Sequence, residues 1–142
     1  MLLNKKKYIQ GNFIPKNKEK CLNTNIIRFR SSWERKFLGW CDSNTSVIKW
    51  GYEILPIKYL NPVKKRISIY LPDFYLEIIN KNGKLTKYVI EIKPSKETNS
   101  PKKKNLYESL TFVINISKWT AADKYCKKFG LEFKLVTEAE LF

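Results

Sequence analysis

Apolar residues recur at helical spacing in SSWERKFLGWCD, where Trp33, Phe37 and Trp40 fall on one face. Ser31 is placed to open that helix, and polar turn formers from Asp42 to Thr45 to close it. Beyond Val47 the pattern becomes extended. VIKWGYEILPIKYL mixes β-branched and aromatic residues, with Pro56 favouring an edge or bent strand. RISIYLPDFYLEII and LTKYVIEIK then alternate on either side of NKNG. An Asn82-Gly83 pair between two such runs predicts a β-hairpin.

The stretch PSKETNSPKKKN, residues 94–105, holds two prolines, four lysines and no large apolar side chain, which predicts a loop. LYESLTFVINI (106–116) is compatible with helix or strand. SKWTAADKYCKKF predicts a helix capped by Ser117, with Trp119, Ala122, Cys126 and Phe129 on one face and Gly130 at its C-terminal end. LEFKLV is a last strand and TEAEL a short terminal turn. Residues 1–25, basic and polar around Pro15, are expected to form an extended arm with at most one short strand. The pattern thus predicts an N-terminal arm and a single α/β domain over 26–142. Its order of helix, three strands, helix and strand makes a mixed sheet flanked by helices.

Composition sharpens this picture mainly through charge and through what is missing. The 142 residues are 43% hydrophobic, enough for a core, and the net charge is +15. So basic a surface favours a polyanionic partner. The 28 cations are nearly all lysine in a chain also crowded with Asn and Ile, so codon bias toward AT-rich sequence supplies part of that charge. There is no histidine, which excludes Ser-His-Asp hydrolysis and His-ligated zinc. Three cysteines without a CxxC pair suit neither a disulfide scaffold nor a cysteine zinc site. A bound metal would need oxygen ligands, as Mg2+ or Mn2+ prefers. No run is long enough to span a membrane and the N-terminus lacks an apolar signal core, so a soluble, intracellular protein is expected.

The candidate chemistry lies on the hairpin. Glu91 and Lys93, two apart on one strand, point to the same face with Val89, and Ile90 and Ile92 point to the other. A turn near residue 82 pairs positions whose numbers sum to about 164 or 165, which sets Asp73 opposite Glu91. Two carboxylates and a lysine so placed suit metal-assisted phosphodiester cleavage. The plainer alternative is a solvated strand face, since Glu-x-Lys also occurs at Glu34 and Glu132. Only the middle copy follows a Pro-Asp across a hairpin. Glu34 likewise has two readings, a metal ligand or the partner of Ser31 in a capping box.

Three segments, Arg30-Ser31-Ser32-Trp33-Glu34, Tyr70-Leu71-Pro72-Asp73-Phe74 and Glu91-Ile92-Lys93-Pro94, resemble the PD-(D/E)xK nuclease superfamily, with its restriction-endonuclease-like fold. The closer likeness is to the head completion nucleases of contractile-tailed phages. It extends to Tyr8-Ile9-Gln10-Gly11, Pro15-Lys16-Asn17, Lys118-Trp119, Ala121-Ala122, Tyr125-Cys126, Thr137-Glu138 and Glu140-Leu141. The endonuclease subunit of certain bacterial transposases shares the central motif order more distantly. The resemblance implies a metal on Asp73, Glu91 and the Ile92 carbonyl, with Lys93 as catalytic lysine and Glu34 as helix-borne acid. It further implies a role in late capsid maturation, acting on packaged double-stranded DNA near portal or neck proteins in the host cytoplasm or the virion.

Phosphate contacts are expected from Lys96, Lys102, Lys103 and Lys104 after the Glu-x-Lys strand, from Arg28 and Arg30 before the first helix, and from Lys5, Lys6 and Lys7 in the arm. Solvated charge runs are the alternative for the lysines. Trp33, Trp40 and Trp119 are expected in the core. A non-catalytic DNA-binding component of the phage head or neck is the rival to the nuclease, and an endonuclease subunit of a transposition or junction-resolving complex is a weaker third reading.

Overall fold

In the computed structural model, which describes residues 10–100 and 105–141, prolines divide the central extended region. Pro56 lies between β3 (Val47–Tyr52) and β4 (Ile57–Asn61), and Pro72 between β5 (Arg66–Tyr70) and β6 (Phe74–Ile79). With β7 (Leu85–Ile92), five strands stand where three were expected, because proline has no N–H to give a ladder.

The predicted hairpin is β6–β7. Its register runs from Phe74↔Ile90 to Ile79↔Leu85, so opposed numbers sum to 164 as expected. At its turn Gly83 adopts φ +77°, a conformation that glycine reaches without strain. The Asn80 side chain accepts from the amides of Asn82 and Lys84, which tightens the reversal.

β8 (Glu132–Val136) joins β7 in parallel, and β3 flanks β6, giving a mixed sheet in the order β3-β6-β7-β8. A parallel neighbour requires a crossover. Here it is α2, a 24-residue helix spanning Leu106–Phe129. The segment 106–116 is therefore helical, and Ser117 lies mid-helix instead of capping it. The cap is Asn105, whose Oδ1 accepts from the Tyr107 and Glu108 amides. Thr111, Val113 and Ile116 lower the local propensity, but packing against the strands overrides it. Gly130 closes the helix at φ +71°, as the sequence suggested.

α1 (Ser32–Ser43) starts where predicted, with Phe37 inside and Trp33 packed against the core as expected, but the inward face is rotated away from Trp40. Phe37, Leu38 and Cys41 are buried, whereas Trp40 is 42% exposed. Together with Trp50, Phe74, Leu76, Ile90 and Ile92 they make one core beneath α1. A second core gathers Trp119 and Ala122 of α2 with Ile57, Tyr59 and Tyr70. β4 and β5 pair only with each other, forming a two-stranded ribbon that lies on α2. The short strands β1 (Gly11–Phe13) and β2 (Ile27–Phe29) pair with each other, and α3 (Glu138–Leu141) ends the chain.

Residues 1–9 lie outside the described residues; the rest of the expected arm is bonded to α1. Asp42, only 5% exposed, accepts the Lys16 amide at 2.9 Å and the Asn17 amide at 3.0 Å. Its carbonyl takes the Asn17 side-chain amide and the Lys20 ammonium. Asn23 exchanges two bonds with the backbone of Tyr52. Removing the Asp42 carboxylate leaves two backbone donors unsatisfied. Asp42→Ala should therefore cost about 2 kcal/mol in urea unfolding, and Asp42→Asn distinctly less. Hydrogen exchange at Lys16 and Asn17 should rise in the alanine variant.

Candidate active site

Pro72 ends β5 and β6 begins at Phe74, which leaves Asp73 at the mouth of the β6–β7 ladder. One step beyond the Phe74↔Ile90 pair stands Glu91, and the two residues clasp one another through the backbone. Asp73 Oδ2 accepts the Ile92 amide at 2.8 Å, and the Asp73 amide donates to Glu91 Oε1 at 3.3 Å. Ile90 and Ile92 lie in the α1 core, so Glu91 faces the α2 side, as strand alternation predicted.

Glu91 is 7% exposed. Its Oε1 accepts the Tyr70 hydroxyl at 2.8 Å, and its Oε2 lies 3.9 Å from Lys93 Nζ. Burial, followed by the negative charge of Glu91, holds the Asp73 carboxyl well above the usual carboxylate range, and the Ile92 amide only partly offsets this. Glu91 is likewise raised by burial, against the opposing pull of the Tyr70 hydroxyl and Lys93. The Tyr70 hydroxyl is pushed up by burial and by Glu91, so it stays protonated and keeps donating.

These groups open into a cleft of about 520 Å³ that also takes in Glu34, Arg30, Glu53 and Lys118. Glu34 sits near the start of α1, where the Ser31 hydroxyl accepts its amide. Its carboxylate does not reach back to the Ser31 amide; it takes the Arg30 amide at 2.9 Å and the Tyr52 hydroxyl at 2.7 Å. The cap stands at Ser31 as expected, and only the reciprocal bond of the box falls one residue earlier, on Arg30. Arg30 does not stand alone, because its guanidinium grips both oxygens of Glu53 at 2.8 and 3.2 Å. Arg28 is exposed on β2, outside the cleft, with Asn12 Oδ1 at 3.4 Å. Lys96 is exposed in the 3-10 turn Ser95–Glu97, just past Lys93. Lys5, Lys6, Lys7, Lys102, Lys103 and Lys104 lie outside the described residues.

Four residues of the site were given no role by sequence reasoning. Tyr70, three before Asp73, carries the hydroxyl that steadies Glu91. Lys118 comes from α2 and rests its ammonium 5.8 and 5.7 Å from the Tyr59 and Tyr70 ring centres, which places its charge on the Glu91 side of the cleft. Tyr52 holds Glu34. Glu53 adopts φ +53°, an uncommon conformation for a glutamate, while its amide donates to the Asp73 carbonyl. Apart from the Tyr70 and Lys118 positions inside the quoted motifs, nothing local in the sequence signals them.

Two carboxyls whose proton affinity is raised by burial, and at Asp73 also by the charge of Glu91, form a site that a cation would relieve. The donors are all oxygen, with no histidine in the chain, which fits Mg2+ or Mn2+. Among the described residues no three acidic or cysteine side chains converge as a cage. Mg2+ does not need one, since it keeps several waters and takes one or two carboxylates.

The chain is similar to known nucleases. The profile of the TnsA-like endonuclease N-terminal family matches residues 44–138, a span that holds Asp73, Glu91 and Lys93 but not Glu34. The head completion nuclease of Enterobacteria phage T4 is 33% identical over 139 residues, covering 90% of this chain and 90% of that protein. The mixed sheet flanked by helices is accordingly the restriction-endonuclease-like fold.

The shared burial of Asp73 and Glu91 has a measurable effect on stability. Both carboxyls hold protons more tightly folded than unfolded, so their ionisation costs stability as pH rises from the ordinary carboxylate range through their raised values. Without divalent cation, Asp73→Asn should raise Tm at pH 7 by roughly 4 °C, on the order of 1 kcal/mol. That gain should shrink as the pH falls toward 4. Calorimetry across pH tests both statements.

Proposed function

The chain belongs to the TnsA-like endonuclease family, and from that premise we propose that it is a metal-dependent endodeoxyribonuclease acting on packaged phage DNA. The observation that carries the reading is the reciprocal clasp of Asp73 and Glu91 beside Lys93. Asp73, Glu91 and the Ile92 carbonyl would hold Mg2+ or Mn2+. When bound, the ion polarises the scissile phosphate and lowers the pKa of a water.

The remaining work falls to the chain's own groups. The Ile92 amide fixes the Asp73 carboxylate, and the Tyr70 hydroxyl fixes Glu91, so neither has to reorganise when phosphate arrives. Lys93 keeps its ammonium in the cleft, where it orients the attacking water and offsets charge on the pentavalent phosphorus. Glu34, steadied by Tyr52 and the Arg30 amide, adds an acidic group from the helix side. The Lys118 charge raises the positive potential on the α2 side, and Lys96 beyond Lys93 meets the backbone of the duplex without reading its bases.

Two likenesses bear on the biological role. The TnsA-like endonuclease profile covers residues 44–138, whereas the phage head completion nuclease matches over 90% of both proteins. The wider match favours head completion, with the DNA end at the portal as the natural substrate.

Nicking of supercoiled plasmid with millimolar Mg2+ or Mn2+ tests the reading. Asp73→Ala and Lys93→Ala should each cut on the order of 10²-fold more slowly while still binding DNA. If the three proteins cut alike, the clasp is not catalytic. If none cuts but all bind, the chain is a DNA-binding component of the head.

A further inference from the structure

Apart from Tyr70, whose hydroxyl holds Glu91, the β4–β5 ribbon takes no part in the chemistry described above. It belongs to neither the main sheet nor the Asp73–Glu91 clasp, yet its base, Ile69, Tyr70 and Leu71, forms one wall of the catalytic cleft. Residues 57–71 contain Lys58, Lys64, Lys65 and Arg66 and no acidic residue. All four cations are exposed, and none forms an ion pair among the described residues. Three of them crowd the tip.

The tip is built to hold its shape. Asn61, 5% exposed, accepts the Val63 and Lys64 amides on its Oδ1, each at 3.0 Å, and Lys65 completes the reversal at φ +53°. Strand alternation puts Ile57, Tyr59 and Tyr70 down onto α2 and turns Leu60 and Ile67 outward, 59% and 62% exposed. Leu60 faces Ile67 across the ladder. The outer surface is thus a short aliphatic strip, with Lys64 and Lys65 in the turn beyond it and Arg66, exposed at the first position of β5, on the face that Tyr70 shares.

We propose that this ribbon is a second DNA-binding element, which grips the backbone of the duplex flanking the cleavage site. The proposal rests on the nuclease reading of the adjacent cleft. Arg66 lies four residues up the strand from Tyr70, about 13 Å at roughly 3.3 Å per residue. That distance corresponds to about four base pairs at 3.4 Å per step, so the tip meets phosphates beyond the cut and not the scissile one. Leu60 and Ile67 lie against deoxyribose edges, a surface that excludes water without reading sequence. With no acid to repel phosphate, the ribbon makes affinity depend on flanking duplex length.

The test is equilibrium binding of the full chain to duplexes of graded length without divalent cation, so that no cleavage intervenes. Replacing Lys64, Lys65 and Arg66 together with Ala should make the slope of log affinity against log salt shallower by about 2.7, at about 0.9 per phosphate contact. The same variant should lose the gain in affinity that wild type shows when the duplex is extended past the cleft. A control with Lys81, Lys84 and Lys87 changed to Ala removes equal charge from the far end of the β6–β7 hairpin, and its slope should move much less. A second variant, Lys64→Gln with Arg66→Gln, should shift the slope by about two-thirds as much.

Equal slopes in the tip variant and the control overturn the proposal. So does a finding that Leu60→Ser with Ile67→Ser breaks up a self-associated form in sedimentation while duplex affinity stays unchanged, which would make the ribbon a protein interface. Plasmid nicking is read separately. A protein that never nicks but shows the tip-dependent slope retains the ribbon and loses the nuclease reading. A protein that nicks with an unchanged slope retains the nuclease and loses the ribbon.

Discussion

Two carboxylates share the open end of one strand pair, and most of the architecture serves to keep them there. Asp73 and Glu91 repel each other in a site with little water to screen them, and both carboxyls sit above their usual range. What holds them is a backbone exchange: the amide of Ile92 on one carboxylate, and the amide of Asp73 on the other. Those amides are free because the regular ladder stops at Phe74↔Ile90. Pro72, with no N–H of its own, ends the pairing one residue before the chemistry begins.

Each layer then adds one constraint. The β7–β8 parallel pair demands a crossover, and α2 brings Lys118 and the support for Tyr70 with it. The opposite face of the hairpin locks into the α1 core through Ile90 and Ile92, so the alternation that buries these two turns Glu91 into the cleft. A slip of one residue in this register would exchange the two sets. α1 itself is positioned by its cap, and the same carboxylate that completes the cap, Glu34, borders the cleft.

How far this was legible in the sequence depended on whether the signal was local. The hairpin, its register and the opposed Asp73 and Glu91 follow from Asn82-Gly83 and strict alternation, both short-range. The α1 start and the Gly130 stop follow from capping chemistry for the same reason. On α1 the expected Phe37 and Trp33 do meet the core, but Leu38 and Cys41 are inside where Trp40 was expected, because both sets satisfy helical spacing and only the packing partner decides. The strand-like residues of 106–116 concealed the first half of α2, whose helicity depends on what it packs against. Glu53, Tyr52 and Tyr70 reach the site from separate strands, through contacts that no single-segment pattern encodes. Lys118 arrives from a helix whose beginning was misplaced.

The bond between Asp42 and the Lys16–Asn17 amides spans 25 and 26 residues of chain. A ribosome delivers residues 16 and 17 first, but their acceptor exists as a positioned group only once the last turn of α1 has formed. That segment, translated before α1, therefore gains this acceptor only after α1 has formed. Until then its amides are bonded to water, and closing the loop costs chain entropy that α1 must already be stable enough to offset. Residues 16 and 17 thus depend for these two bonds on a helix translated after them.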